Sequence, residues 1–377
     1  MRSMKVFVRK YDIAVIGAGI AGLSAAVVAA EAGAKVIVLE RAAKIGIPIR
    51  CGELVRIDTL QYLLGSMDSL IRQSFNSYKI CVDDDNFFSV VSPLKFAACI
   101  NKFSLIQLLL NRVLTANADV WTGCSVKSIE RNKEKIHIFL DNISLKEIKV
   151  DDVIICDGVA SRIAPMLGIK TSLPQKGIAS CVSAVLDSHD IFFNECKLYF
   201  NSEIAPGGYF WVFPTSRMTA NVGVGVNSTM SSNKSSFQYL KSYIERRYPT
   251  AKLSNTVFGG IPVYYPLRYF SYPNVAIAGD AARQVDPLTG AGITTSIFAA
   301  MLAAKSVMKT RDISYRRTLY DDVWRCKFDT MFKNSINMRK QLNFKQDSEL
   351  LGRVNTLSKH GVKSISVNYS ISQLAMI

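Results

Sequence analysis

The sequence predicts a mixed α/β fold in which an α/β domain is interrupted by a β-rich domain. A buried strand, a helix of small residues and a second buried strand follow one another over residues 11–40. From about 175 to 265 the pattern changes to alternating apolar and polar residues, which is typical of half-buried strands. A strand-then-helix pattern returns at 274–308, and a basic, partly helical tail follows from 311.

Each element can be placed on the chain. Strands are predicted at 11–17, 35–40, 124–131, 134–140, 151–157, 178–186, 195–201, 207–213, 218–226 and 274–280. Helices are predicted at 20–32, 103–116 and 236–247, and from about 291. This order divides the chain into a discontinuous nucleotide-binding domain at 1–85, 100–170 and 268–310, a β-rich substrate domain at 86–99 and 171–267, and a C-terminal helical region at 311–377.

The composition fits a folded protein with an excess of positive charge. Of the 377 residues 49% are hydrophobic and 20% are charged, and the length allows two domains with separate cores. Lys and Arg outnumber Asp and Glu by 46 to 30, which gives a formal net charge of +16. This excess favours an acidic membrane surface, a phosphorylated ligand or a nucleic acid as partner, or else reflects general solubility. Because no nucleic-acid-binding motif is recognisable, we expect no nucleic acid.

Cysteine and histidine spacing gives no sign of a metal site. The eight cysteines include no CxxC pair, and the three histidines stand in unrelated contexts. The first ten residues lack the apolar run of a signal peptide, and the uncharged stretch 13–30 is explained by a strand, a turn and a helix. We therefore expect free thiols and a cytoplasmic protein, soluble or peripheral on the inner face of the cell membrane.

The first strand-to-helix turn, GAGIAG, has the spacing of a dinucleotide fingerprint. Gly17 permits the tight turn, Gly19 lets the backbone approach a pyrophosphate, and Gly22 lets the helix pack closely on the strand. The helix N-terminus presents free N–H groups to the phosphates. At the end of the second strand, Glu40 can accept hydrogen bonds from ribose hydroxyls. This pattern alone fits FAD and NAD equally, since both contain the same ADP half.

A second strand-to-helix turn, near residue 280, favours FAD. The predicted strand ends at Asp280, whose carboxylate can accept hydrogen bonds from ribityl hydroxyls. The turn continues through Gly290 to Gly292 and Ile293, whose N–H groups can face the N1/O2 edge of an isoalloxazine ring. A simple NAD dehydrogenase does not need this second turn, whereas a long cofactor with a second polar end does.

Three ordered motifs resemble the glutathione-reductase-type flavoproteins related to para-hydroxybenzoate hydroxylase. They are GAGIAG, CDGVAS at 156–161 and AGDAARQVDPLTGAGI at 278–293. Asp157 matches the aspartate of the Asp-Gly motif in those monooxygenases. The resemblance covers residues 11–308 and implies a Rossmann-like FAD-binding domain interrupted by the β-rich substrate domain.

Two further stretches are similar to the geranylgeranyl reductase family, which saturates isoprenoid double bonds. GIPIRCGE at 46–53 is similar to the family's G-x-P-x-x-C-G-E loop, and PGGYFWVFPTSRMTANVGVGV at 206–226 is similar to its Y-x-W-x-F-P signature. In archaea this family includes the digeranylgeranylglycerophospholipid reductases of membrane lipid synthesis. Two positions depart from the pattern: Leu54 stands where a glycine is usual, and Asn101–Lys102 replaces an Asp-Arg pair. Lys102 keeps the charge but loses the bidentate fork of arginine.

Together the turns and the resemblance assign the candidate site residues. For FAD binding they are Gly17, Gly19, Ala21, Gly22, Glu40, Arg50, Cys51, Gly52, Lys102, Val126, Asp157, Asp280, Gly290, Gly292 and Ile293. For the substrate they are Tyr209, Trp211, Phe213, Gly223 and Gly225. Strand alternation places the three aromatic residues on one face, and the alternate glycines indicate close approach by a flat or long ligand such as a prenyl chain. Cys51 and Tyr209 are the candidate catalytic proton donors.

The resemblance implies an FAD-dependent reductase of geranylgeranyl double bonds in archaeal-type membrane lipid precursors. Hydride from flavin N5 and a proton to the other carbon would saturate each bond. NAD(P)H or a ferredoxin-like carrier would supply electrons, and the positive charge suits such a carrier or an anionic lipid surface. Two alternatives remain open, an FAD-dependent aromatic monooxygenase using NAD(P)H and oxygen, and a non-redox flavin-dependent cyclase.

Overall fold

The computed structural model describes residues 9–132, 134–141, 147–231, 233–344 and 364–366. In this part of the chain the helices are α1 (Ile20–Glu31), α2 (Ile57–Leu64), α3 (Lys102–Thr115), α4 (Ile163–Met166), α5 (Ser236–Arg247), α6 (Ile293–Lys309), α7 (Ile313–Arg317) and α8 (Val323–Phe344). Short 3-10 helices lie at Asp68–Leu70, Gln175–Gly177 and Gly279–Ala282, and a π-helical turn at Thr318–Asp322 joins α7 to α8.

The described strands form two large sheets and one small one. They are β1 (Arg9–Ile16), β2 (Val36–Leu39), β3 (Leu54–Arg56), β4 (Ile71–Phe75), β5 (Ser77–Cys81), β6 (Phe87–Val91), β7 (Ala97–Ile100), β8 (Asp119–Trp121), β9 (Ser125–Asn132), β10 (Lys135–Asp141), β11 (Glu147–Ile155), β12 (Ile178–Asp187), β13 (Cys196–Tyr199), β14 (Tyr209–Pro214), β15 (Thr219–Asn227), β16 (Lys252–Pro262), β17 (Ser271–Tyr272), β18 (Val275–Ile277) and β19 (Ser364–Ser366).

The first sheet positions the nucleotide-binding turns. Its order is β17-β18-β11-β1-β2-β8, and β10 and β9 continue from β11 as antiparallel strands. Residues 13–16 of β1 are all buried, so both faces of the sheet are covered. Because β1 runs parallel to β2 and β11, the carboxyl ends of these strands meet at one edge. Gly17, Glu40 and Cys156, each of which follows one of these strands, therefore lie at the same edge.

The second sheet has two faces with different neighbours. Its order is β16-β12-β15-β14-β13-β5-β6-β19. Phe210 and Val212 of β14 belong to an apolar core shared with α5. Tyr209, Trp211 and Phe213 project from the opposite face and form a separate aromatic cluster. The predicted alternation along this strand is confirmed.

A third sheet, with the order β3-β7-β4, was not predicted. It is built from the segment that follows the Cys51–Glu53 loop and from residues 71–75 and 97–100. The next strand, β5, pairs with β13 of the second sheet although the prediction assigned residues up to 85 to the nucleotide-binding domain. The sheet to which β5 belongs depends on its pairing with a strand that is distant in sequence. The periodicity of apolar residues does not reveal that pairing.

Some predicted bounds are confirmed and others are wrong. The helix at 236–247 has the predicted bounds, because Ser235 and Gln238 form a capping box at its start. The strand predicted at 274–280 ends instead at Ile277, and Asp280 lies in the following 3-10 turn. The strand predicted from 207 begins at Tyr209, since the preceding glycines lie in a turn.

The C-terminal helices pack into the core of the first sheet. Trp324, Phe328 and Phe332 of α8 belong to the same buried cluster as β1 and α1. Arg316 of α7 forms an ion pair of 2.5 Å with Asp152 of β11, and both side chains are buried. The region predicted as a partly helical tail thus packs into the fold through α7 and the first part of α8. Residues 345–363 and 367–377 lie outside the described residues.

Candidate active site

The turn between β1 and α1 is closely packed on one side and open on the other. Gly17 has φ +100° and donates its N–H to the Leu39 carbonyl at 2.8 Å. A Cβ on Gly22 would lie 1.8 Å from the carbonyl oxygen of Gly17, so only glycine allows α1 to begin this close to the turn. A Cβ on Gly19, the N-cap residue of α1, would have no protein atom within 4 Å. This open side, at the helix N-terminus, can receive a pyrophosphate.

Glu40 is fixed in place at the neighbouring strand end. Its carboxylate accepts hydrogen bonds from the N–H groups of Ala18 and Ala42, each at 2.8 Å. The backbone of Glu40 also pairs with Cys124, two residues before the half-buried Val126 of β9. The carboxylate keeps further lone pairs for ribose hydroxyls.

Asp157 follows β11 at the same edge. One carboxylate oxygen accepts from the Ile163 N–H at 2.9 Å. The other oxygen is buried and has no hydrogen-bond partner in the described part of the chain. Burial raises the pKa of Asp157, an effect that hydrogen bonding from the neighbouring backbone, including the Ile163 N–H, only partly opposes. A buried acceptor without a donor favours a ligand that brings one.

The second turn lies directly against the first. A Cβ on Gly279 would be 2.9 Å from the Cβ of Ala21 in α1. The next residue, Asp280, accepts no side-chain hydrogen bond from the described residues; burial raises its pKa, and the nearby Lys102 opposes the shift. Further along, Gly292 is the N-cap of α6 and Ile293 is its first residue. The two predicted turns therefore pack against each other.

An apolar cavity of about 670 Å³ adjoins this second turn. Its walls come from the Cys51 loop, the third sheet, the second sheet, the turn at 286–295 and α8. Seven of the predicted residues line it, namely Cys51, Gly52, Tyr209, Phe213, Gly290, Gly292 and Ile293. Its volume is within the range of small-molecule sites.

Comparison with known proteins agrees with this geometry. Residues 177–261 match the geranylgeranyl reductase catalytic domain, and residues 12–62 match the FAD-dependent oxidoreductase family. A digeranylgeranylglycerophospholipid reductase of Methanosarcina acetivorans is 32% identical over 84% of this chain and 80% of its own length. The chain belongs to the geranylgeranyl reductase family. It is therefore an FAD-dependent oxidoreductase, as the two turns predicted.

Other relatives extend the match. A digeranylgeranylglycerophospholipid reductase of Methanoculleus marisnigri is 29% identical over 97% of this chain and 94% of its own length. The crystal structure of a geranylgeranyl bacteriochlorophyll reductase-like protein from Thermoplasma acidophilum has a TM-score of 0.88 at 25% identity, with 98% and 95% coverage. A p-nitrophenol 4-monooxygenase from Pseudomonas putida has a TM-score of 0.77 at 12% identity, which shows a shared fold only.

The residues of this family member fit FAD. Gly19 leaves room at a helix N-terminus, and the carboxylates of Asp157 and Asp280 have acceptor atoms that no described residue uses. The predicted cofactor residue Arg50 is exposed and donates to the Phe258 carbonyl of β16 at 2.8 Å.

The predicted glycine-lined trough is wrong in one respect. A Cβ on Gly223 would lie 2.2 Å from the Trp211 ring and 2.4 Å from the Val182 carbonyl oxygen. The space left by this glycine is filled by the protein's own indole, which donates to Asn221 at 2.9 Å. Neither Gly223 nor Gly225 lines the cavity, so only Tyr209 and Phe213 of the predicted substrate residues do.

Three residues of the site were missed in the sequence. Glu53 has φ +63°, is 7% exposed, and accepts from the Lys102 N–H at 2.9 Å. Asn221 donates to the Cys51 carbonyl at 2.9 Å and so ties the second sheet to the cavity loop. Arg339 of α8 is buried and lines the cavity. Of these three residues only Glu53 had a signal in the sequence, because it is the glutamate of the C-G-E motif. The positions of Asn221 and Arg339 depend on contacts between segments that are distant in the chain.

The departure at Asn101 has a local explanation. The Asn101 side chain accepts from the Ser104 N–H at 3.1 Å and caps α3, a task that asparagine and aspartate perform equally well. Lys102 is then the first residue of the helix, close enough to Asp280 to affect its pKa. Among the described residues no helix is both long and apolar enough to cross a bilayer.

Replacing Asp280 by asparagine is expected to stabilise the apoprotein at pH 7 and to weaken FAD binding about tenfold. Burial raises the pKa of Asp280, so its ionisation in the fold opposes folding. This penalty is absent below the unfolded-state pKa of about 3.9 and grows as pH rises through the folded-state pKa. Melting temperatures of D280N and wild type at pH 4 and pH 7, with and without FAD, measure both effects. A lower melting temperature of apo-D280N at pH 7 would contradict the assignment.

Proposed function

We propose that this protein saturates the isolated double bonds of geranylgeranyl chains on a digeranylgeranylglycerophospholipid, an archaeal-type membrane lipid precursor. The observation that carries the proposal is the apolar cavity that adjoins the Gly290–Ile293 turn. A prenyl chain needs an apolar site beside the redox-active ring, and this cavity supplies one. The named activity of the relatives from Methanosarcina acetivorans and Methanoculleus marisnigri supports the same substrate class.

The cofactor would be held along the shared edge of the first sheet. The α1 N-terminus near Gly19 suits the pyrophosphate, Glu40 suits the adenosine ribose, and Asp280 suits the ribityl hydroxyls. The N–H groups at the start of α6 suit the pyrimidine edge of the ring. When bound and reduced, FAD supplies a hydride equivalent. The domain division is part of this proposal, with the second sheet as the substrate-binding part.

The protein's own contribution is to exclude water, to orient the chain and to supply a proton. Phe213 and Leu54 both contribute apolar surface to the wall of the cavity. The departure of Leu54 from the family's glycine thus adds apolar surface to the substrate side. A chain held against these walls presents one double bond at a time to the α6 end of the cavity.

Cys51 is the better placed of the two candidate proton donors. Its sulfur accepts from the Glu53 N–H at 3.3 Å, which leaves the thiol proton without an acceptor among the described residues. Tyr209 donates its hydroxyl proton to the Thr289 carbonyl. Burial also raises the pKa of Tyr209. Both the hydrogen bond and the raised pKa make Tyr209 a poorer proton donor to a substrate.

We expect Cys51→Ser to keep FAD and to slow alkene reduction by about 100-fold, the lower range for loss of a general acid. Serine preserves the size of the side chain but is a much weaker acid than a thiol. Stopped-flow oxidation of the reduced enzyme by a prenyl lipid measures the step. Tyr209→Phe is the matched comparison, and a larger loss in Y209F than in C51S would reverse the assignment of the donor.

The proposed activity is tested by mass spectrometry of geranylgeranyl lipids incubated with the dithionite-reduced protein. A gain of about two mass units for each double bond establishes saturation. An isomer of unchanged mass would instead support a non-redox cyclase. Hydroxylation of a phenol that depends on NAD(P)H and oxygen would support an aromatic monooxygenase.

The partners complete the proposal. NAD(P)H or a ferredoxin-like carrier would reduce the flavin, and the net charge of +16 suits an acidic carrier. The same charge suits peripheral contact with the anionic inner face of the cell membrane, where the lipid substrate resides. Liposome co-sedimentation at low and high salt tests the membrane contact.

A further inference from the structure

Arg339 is an unusual charge for an apolar cavity. It lies near the end of the described part of α8, is 8% exposed, and lines the cavity. Its guanidinium donates to the Pro287 carbonyl at 3.2 Å and to the Gly207 carbonyl at 2.9 Å. Both acceptors are neutral. Within the described ranges no carboxylate lies within ion-pair distance of it.

The other charged residues that line the cavity are satisfied. Glu53 pairs with Arg72 at 3.4 Å, and Arg56 pairs with Asp58 at 3.4 Å. Asp286 accepts from the backbone N–H groups that follow it, at 2.8 Å and 3.3 Å. Arg339 differs from these residues because no oppositely charged group of the described chain pairs with it. Its two hydrogen-bond acceptors are neutral carbonyl oxygens.

A buried cation without a counter-ion is unfavourable, and such groups are normally paired. Of the five N–H donors of a guanidinium, Arg339 uses two, so three remain for a ligand. Burial lowers the pKa of Arg339, with Cys181 and Tyr209 as the neighbours that oppose the shift. The planar fork that remains matches the geometry of a phosphate.

We infer that Arg339 binds the phosphate of a phosphorylated prenyl lipid and so makes the cavity selective for such lipids over neutral ones. This inference rests on the proposed function, since it concerns the same cavity. Arg339 is a specificity residue and takes no part in hydride or proton transfer. One carbonyl partner lies in the turn just before Tyr209 and the other lies in the loop that carries Gly290, so the phosphate would be held beside the reacting part of the cavity.

The test compares digeranylgeranylglyceryl phosphate with digeranylgeranylglycerol, each offered to dithionite-reduced holoenzyme. For wild type we expect kcat/KM to favour the phosphate by at least tenfold. In Arg339→Met the ratio should fall to about one, because the KM for the phosphate rises more than the KM for the neutral lipid. Arg339→Lys keeps the charge and should retain a preference between these two values.

Arg325→Met is the matched control. Arg325 is also on α8 and also donates to two backbone carbonyls, those of Leu267 and Arg268. It does not line the cavity and has Asp329 as an ion-pair partner at 3.3 Å. A purely structural role would make both arginine variants lose turnover of the two lipids in parallel, whereas the inference predicts a changed ratio in R339M alone.

Several outcomes would overturn the inference. If the kcat/KM ratio of phosphorylated to neutral lipid is unchanged in R339M, Arg339 is not a phosphate site. A ratio near one in wild type would exclude the phosphate site as well, and that measurement does not depend on whether a variant folds. Equal inhibition of both lipids by inorganic phosphate, lost in R339M, would mean that Arg339 serves a free anion and not the lipid. If wild type reduces neither lipid, the proposed function itself fails, which is distinct from loss of selectivity.

Discussion

Gly22→Ala is expected to destabilise the protein by about 3 kcal/mol or more and to abolish FAD binding. The added Cβ would stand 1.8 Å from the Gly17 carbonyl oxygen, a backbone atom that can move only if the turn opens. Because the same turn shapes the cofactor site, stability and binding should fall together. Thermal melting and the flavin absorbance of the purified protein measure the two losses.

Gly19→Ala is the control that separates folding from binding. Its Cβ would meet no protein atom within 4 Å, and its φ of −73° suits any residue. We expect a stability change below about 1 kcal/mol, since alanine is only a poorer helix cap. FAD affinity should nevertheless fall, because the methyl group would occupy the open side of the turn. Normal FAD affinity in G19A would place the pyrophosphate elsewhere.

Arg316→Met is expected to lower the free energy of unfolding by roughly 3–5 kcal/mol. It would leave the Asp152 carboxylate buried without its counter-charge, at a site where both side chains are almost fully buried. Burial already raises the pKa of Asp152, and Arg316 is the first group that opposes this. Urea unfolding at pH 7 measures the loss.

The double variant R316M/D152N shows whether the uncompensated charge is responsible. Asparagine removes the buried charge, so the double variant should recover a large part of the lost stability. In R316M alone stability should also improve as pH falls, because protonation of Asp152 then removes the same charge. Equal instability of the single and double variants, at all pH values, would assign the effect to lost packing of α7.

The first sheet and the cofactor turns could be predicted because their signals are local. The spacing of Gly17, Gly19 and Gly22 follows from one turn and one helix start, and the bounds of α5 follow from its capping box. The family of the protein was likewise readable from motifs within single segments. In each case the residues that interact are near one another in the chain.

The cavity could be predicted only in part, because its walls come from segments far apart in sequence. Alternation placed Tyr209 and Phe213 on the correct face of β14. It could not show that Trp211 fills the space over Gly223, since that depends on the register between β14 and β15. Arg339 is more distant still, and nothing near it in sequence indicates that it reaches the Gly207 loop.

The even-numbered residues of strand β14 pack in the core, whereas its odd-numbered residues belong to the aromatic cluster on the other face. Phe210 and Val212 face the core that α5 covers, whereas Tyr209 and Phe213 face the cavity. Mutations at the odd-numbered cavity positions can thus reshape the ligand space while the even-numbered positions preserve the sheet. Libraries restricted to Tyr209 and Phe213 should therefore yield many folded variants, which makes this strand a practical starting point for changing the length of chain that the enzyme accepts.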